Sequence, residues 1–166
     1  MKPWSRPHGW RQGFCPSTPN PATISPVVER SCTQYVPKAA ERVLTLTVGL
    51  TEGSAVFDCK WTEEAVCNLL DNAVKYTPSG GTVTVEVKNY ELFSAIRVTD
   101  TGPGISEAEQ AKIFGRFYRA SGAWQTEGVG IGLYLTRQIA EKQGGYVKVE
   151  STPGMGSTFS LYIPRE

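Results

Sequence analysis

The chain has 166 residues, 40% of them hydrophobic, and a formal net charge of +1 at pH 7. That apolar content suffices for one compact domain, and the near balance of charge argues against a nucleic-acid surface or an acidic tail. No apolar run is long enough to span a bilayer, and no stretch has a signal-peptide pattern. The four cysteines, Cys15, Cys32, Cys59 and Cys67, lack metal-ligand spacing, so a reducing, cytoplasmic compartment is expected, with no nucleic acid and no membrane contacted by this chain.

Residues 1–24 are crowded with proline and carry Trp4, Trp10 and Phe14 without periodicity. They read as a disordered extension; a small docking segment and an altered gene start are the alternatives. The domain proper is expected over residues 25–166. Ser25-Pro26 suits a helix start, and a helix over 27–42 follows, with Pro37 able to kink or break it. Residues 43–50 alternate as a strand, Glu52-Gly53 is a turn, and 55–57 is a short strand. From Glu63 to Thr77 there is no Pro or Gly, and Val66, Leu69, Leu70 and Ala73 share one helix side. Cys67, beside Val66, reads as a buried thiol. Asn68, Asn72 and Lys75 fall on the opposite side, with Tyr76 at its flank.

Val83, Val85 and Val87 alternate with polar residues, as do Ile96 and Val98, giving two strands that end at Asp100. Ser106-x-x-Glu109 is a capping box for a further helix. Residues 120–128 have no periodicity and read as a mobile lid. Leu133, Leu135, Ile139 and Ala140 form a helical pattern stopped by Gly144-Gly145. Residues 146–150 and 157–163 alternate across Pro153-Gly154 as a β-hairpin. The sum is an α+β domain: a two-layer α/β sandwich whose mixed, mostly antiparallel sheet has helices on one face.

Three segments carry chemistry. An asparagine amide oxygen is a hard neutral ligand suited to Mg²⁺ beside phosphate oxygens, although a plain solvated face is common on amphipathic helices. In Asp100-Thr-Gly102-Pro-Gly104 a carboxylate at a strand end can accept from an exocyclic amine such as that of adenine; an ordinary Asp-x-Gly turn fits the same residues. Gly128-Val-Gly130-Ile-Gly132 enters a helix, and backbone N–H groups at a helix start favour phosphate. This last run is neither a dinucleotide fingerprint, since Leu133 stands where a third spaced glycine is needed, nor a Walker loop. Protein-kinase signatures are also missing. In this order the segments imply a nucleotide site, for ATP.

These residues carry a family resemblance. Asn68-Leu-Leu-Asp-Asn72-Ala-Val-Lys75-Tyr76-Thr77 resembles the N box of bacterial sensor histidine kinases. Asp100-Thr-Gly102-Pro-Gly104-Ile105 resembles their G1 box, and Ile113-Phe114-Gly-Arg116-Phe117-Tyr118-Arg119 their F box. Gly128-Val-Gly130-Ile-Gly132-Leu133 resembles the G2 box, and Gly154-Met-Gly156-Ser-Thr158-Phe the last glycine motif. The chain thus resembles, over about Ser25 to Pro164, the catalytic ATP-binding domain of that family, in the superfamily shared with gyrase, mismatch-repair and heat-shock chaperone ATPases. The resemblance implies a Bergerat-type fold with ATP and Mg²⁺ as cofactors. It makes Asn72 the Mg²⁺ ligand, with Asn68 and Lys75 at the phosphates and Tyr76 at the ribose or phosphate edge. Asp100 would bind the adenine amine, and Gly102, Gly104 and Ile105 would shape the floor. Arg119, and Arg116 beside it, would reach the terminal phosphate, with Asn72, Lys75 and Arg119 the catalytic group. Gly128, Gly130 and Gly132 would hinge a cover over the nucleotide, and Leu133 and Thr158 would complete its surroundings. Phosphoryl transfer asks for this kind of positioning and charge neutralisation.

The resemblance also implies partners: a histidine-bearing dimerisation domain of the parent kinase and, indirectly, a response regulator, with the parent anchored in the bacterial inner membrane. The one histidine here, His8, sits in the Pro-rich stretch, where an exposed tail residue is the better reading. Two functional classes follow: the nucleotide half of a two-component histidine kinase, or a nucleotide-binding regulatory module without transfer activity. An anti-sigma-type serine kinase is a third, which the F box disfavours.

Overall fold

The computed structural model describes residues 18–115 and 132–166. The elements run β1 (Asn20–Thr23), α1 (Ser25–Glu41), β2 (Thr45–Val48), β3 (Ser54–Phe57), α2 (Cys59–Tyr76), β4 (Thr82–Asn89) and β5 (Phe93–Asp100). They continue with α3 (Glu107–Gln110), α4 (Gly132–Lys142), β6 (Tyr146–Thr152) and β7 (Gly156–Pro164). Five strands form one sheet in the order β2-β4-β5-β7-β6, and β1 pairs with β3 in a separate ribbon. β2 runs parallel to β4, and every other pair in the larger sheet is antiparallel. The α+β, mixed-sheet architecture is the one expected from the alternating patterns.

Alternation decides the two faces of the sheet. Val83, Val85, Val87, Ile96, Val98, Phe159, Leu161 and Ile163 are all buried in one cluster with Val66, Leu69, Leu70 and Ala73 of α2. Each fully buried residue of that size contributes about 1.5–3 kcal/mol. The other sheet face carries no helix but an aromatic group of its own, in which Tyr146 stacks on Tyr162 with ring centroids 4.4 Å apart. Asp58 starts α2 by accepting the Trp61 N–H at 3.1 Å. Thr77 closes it by donating to the Ala73 carbonyl at 2.6 Å.

Four local expectations are corrected. The folded region does not wait for Ser25: Asn20 to Thr23 pair antiparallel with Phe57 to Ser54, and Ile24 is fully buried. The prolines that suggest disorder are compatible with an edge strand, which tolerates a missing N–H. Ser25 does not cap α1; Ile24 stands at that position without a side-chain bond, and the Ser25 hydroxyl instead meets Thr51 Oγ1 at 2.9 Å. α1 continues through Pro37 without a break. Thr33, whose carbonyl loses its donor, is exposed, as is Pro37, so water can replace the lost bond. β2 begins at Thr45 and not at Val43, because Val43 has a φ of 58°, outside any strand. The tail reading for residues 1–17, with Cys15 and His8, and the lid reading at 120–128 lie outside the described residues.

Candidate nucleotide site

The site begins where β5 stops. Asp100 has the parity of Ile96 and Val98, so its carboxylate lies on the helix-covered face, where it is 8% exposed. In register it stands between Val83 of β4 and Ser157 of β7, and Ser157 in turn faces Ser151 of β6. One rung across four strands therefore reads Val83, Asp100, Ser157, Ser151. Asp100 Oδ1 accepts the Gly102 N–H at 2.8 Å. Burial pushes the carboxyl above its ordinary pKa, while the N–H groups of Gly102 and Ser157 pull the other way.

Two glycines let the backbone close around this carboxylate. A Cβ on Gly102 would stand 2.9 Å from Asp100 Oδ1 and 3.2 Å from the Tyr76 carbonyl, so the exit of β5 lies directly against the end of α2. Gly156, at φ 93°, lies against the Asp100 carbonyl where no side chain fits. The following turn is tied down by Ser151, whose Oγ accepts the Ile105 N–H at 2.7 Å. Gln110 donates to the carbonyls of Ile105 at 2.7 Å and Ser151 at 2.9 Å. Gly104 lies against the backbone of Thr152 in the same turn.

The polar face of α2 flanks this rung. Asn68, Asn72, Lys75 and Tyr76 are all half-buried. Asn68 Nδ2 is buried and has no hydrogen-bond partner among the described residues. Such an amide is costly unless something supplies an acceptor. Gly132, the first residue of α4, stands over it; a Cβ there would be 3.9 Å from the Asn68 Cβ. Lys75 shares the face, but its ammonium forms a 2.9 Å ion pair with Asp71 one turn earlier, with Lys38 of α1 3.9 Å from the same carboxylate. Leu133 is partly buried against the core.

The structure thus gathers Asp100, Gly102, Gly104, Ile105 and Tyr76 at one end, and Asn68 and Gly132 together on the helix side. Arg116, Arg119, Gly128 and Gly130 lie outside the described residues. Thr158 is a correction. It has the opposite parity from Phe159 and Leu161, and its Oγ1 bonds Thr99 Oγ1 at 3.0 Å on the far face of the sheet from Asp100. Its neighbour Ser157, not singled out from sequence, holds the inward position. The signal was available in the strand's period of two, because Ser157 shares parity with Phe159, Leu161 and Ile163.

The donors fit a magnesium-bound polyphosphate. Among the described residues no three His, Cys, Asp or Glu side chains converge on one point. A cation held through one amide oxygen, phosphate oxygens and water needs no such cluster. No helix of the described residues is long and apolar enough to cross a membrane.

Comparison with known proteins agrees with this geometry. Residues 58–166 match the family model described as histidine kinase-, DNA gyrase B-, and HSP90-like ATPase. The circadian input-output histidine kinase CikA of Synechococcus elongatus is 39% identical over 133 residues, covering 78% of this chain and 18% of the relative. The adaptive-response sensory kinase SasA of a Synechococcus species is 45% identical over 102 residues, covering 61% and 27%. The chain therefore spans about a quarter or less of these relatives. The mycobacterial sensor histidine kinase MprB superposes with a TM-score of 0.76 at 28% identity, over 89% of this chain and 97% of that one. Full-length ShkA in complex with AMPPNP superposes at a TM-score of 0.78, over 95% of this chain and 34% of that one; at 24% identity it shows the shared fold alone. The chain belongs to the histidine kinase-, DNA gyrase B- and HSP90-like ATPase family, as a catalytic domain of the histidine kinase type.

Proposed function

We propose that this domain binds Mg·ATP and donates the γ-phosphate to a histidine on a separate dimerisation and acceptor domain of a two-component sensor kinase. The observation that carries the reading is the rung at Asp100. A buried carboxylate, held by backbone N–H groups, stands beside a helix face with two asparagines and a lysine. Asp100 accepts from the adenine amine, with Ser157 next to it and Gly102 and Gly104 shaping the floor. The buried amide of Asn68, without an acceptor among the described residues, is supplied with one by a phosphate oxygen. Lys75 reaches the phosphates by exchanging Asp71 for them, and Tyr76 lies at the ribose edge. The amide oxygen of Asn72 holds Mg²⁺, which neutralises phosphate charge when bound. Arg119 approaches the terminal phosphate from outside the described residues. The parent kinase is anchored in the bacterial inner membrane, this domain faces the cytoplasm, and a response regulator receives the phosphoryl group downstream.

Two measurements test this. Calorimetric titration with ATP should show Mg²⁺-dependent affinity that Asn72→Ala abolishes while circular dichroism stays native. Undiminished metal-dependent affinity in that variant would remove Asn72 from the ligand set. Mixing the chain with labelled ATP and histidine-bearing helical-hairpin domains should give acid-labile phosphate on the hairpin. Tight ATP binding without any transfer would favour a regulatory nucleotide-binding module.

A further inference from the structure

We propose that Ser151 is a positioning residue for base recognition: it holds the Ser157 hydroxyl so that its proton points at the N1 edge of adenine. The proposal rests on the ATP reading above.

Adenine presents a donor, its amine, beside an acceptor, N1. An ionised carboxylate only accepts, so Asp100 serves the amine and leaves N1 needing a donor. Ser157 is the next residue along the rung, on the same face, and is 6% exposed. Its hydroxyl has one proton, and what Ser151 does decides where that proton goes. Ser151 Oγ already accepts the Ile105 N–H at 2.7 Å. Its own single proton has two possible acceptors: the Gly156 carbonyl at 2.9 Å or Ser157 Oγ at 2.8 Å.

The two arrangements have different consequences. When Ser151 donates to Gly156, Ser157 donates to Ser151 and has nothing left for a base. When Ser151 donates to Ser157, the Ser157 proton is free for N1. The nucleotide selects the second arrangement, because only there does N1 gain a partner. Gln110 fixes the height of the pair through the carbonyls of Ser151 and Ile105. Without the Ser151 hydroxyl, the Ile105 N–H and the Gly156 carbonyl both lose a partner. The Ser157 hydroxyl is then drawn to them and away from the base.

The test uses ATP and 1-deaza-ATP, in which a C–H replaces N1, titrated with Mg²⁺ into the full chain. The native protein should prefer ATP by about two- to tenfold, the worth of one hydrogen bond. Ser151→Ala should bring the ratio close to one, with the loss falling on ATP, and Ser151→Thr should restore it. Ser157→Ala, which leaves the Ser151 bonds to Ile105 and Gly156 in place, should remove the same preference. Equal weakening of both nucleotides in Ser151→Ala would mark a merely structural role and overturn the proposal. So would a ratio retained in Ser157→Ala, or native protein that binds both nucleotides equally. Native protein that binds neither would overturn the ATP reading as well.

Discussion

Replacing Asp100 by asparagine should exchange base preference for stability. The Gly102 N–H, 2.8 Å from Oδ1, still needs an acceptor. The amide oxygen of Asn therefore takes that place, and the NH₂ group falls where the second carboxylate oxygen was. A donor then faces the adenine amine, whereas guanine offers a carbonyl at the same position. A buried polar group left unpaired costs about 1–3 kcal/mol, or roughly 5- to 150-fold in Kd. ATP should weaken by that factor and GTP should not, as competition calorimetry can measure. The nucleotide-free protein should move the other way. Burial holds the folded-state pKa of Asp100 above its unfolded value. The associated stability is complete below the unfolded value and is lost as pH rises through the folded one. At pH 7 the ionised carboxylate thus weighs against the empty fold, so Asp100→Asn should raise Tm there, and the gain should fade on acidification. An unchanged ATP:GTP ratio would refute the recognition argument. A Tm difference independent of pH would refute the burial argument.

Two further outcomes concern the frame of the site. Gly156→Ala places a methyl against the Asp100 carbonyl at a φ of 93°. The conformational strain alone is about 1–2 kcal/mol, so urea unfolding should show a loss of at least that size; native stability would mean the rung is looser than described. Gln143→Leu removes the acceptor of the Asp58 N–H, 2.6 Å away, and the donor to Thr62 Oγ1, 3.1 Å away. The expected loss is about 1–3 kcal/mol in the same assay, and an unchanged midpoint would show that water replaces both bonds.

Much of this molecule was legible as periodicity. Val83, Val85 and Val87 against Ile96 and Val98 gave the paired strands, and residues 146–163 gave the hairpin, because one face of each is buried and the period of two is enforced there. β1 was not legible. Asn20 to Thr23 has two exposed ends, a proline and no alternation, and only pairing with β3 makes it a strand. The inward place of Ser157 followed from parity, but the threonine beside it belongs to the same motif and conceals the choice. The ion pair of Lys75 with Asp71 could be read at i, i+4 spacing. The isolated amide of Asn68 could not, since it depends on Gly132 arriving from a helix more than sixty residues away in sequence.

The bonds of Gln143 have a mechanical meaning. They fasten the residue just past the end of α4 to the first turn of α2 and the N–H before it. A helix held at one end can only swing. With its 11 residues rising 1.5 Å each, α4 is a rod about 16 Å long. A tilt of about 10° would carry Gly132 some 3 Å across Asn68, by the same rise per residue, while the far end stays in place. The fold thus turns a small angular change into displacement where the buried amide of Asn68 waits, and almost none at the opposite end of the rod.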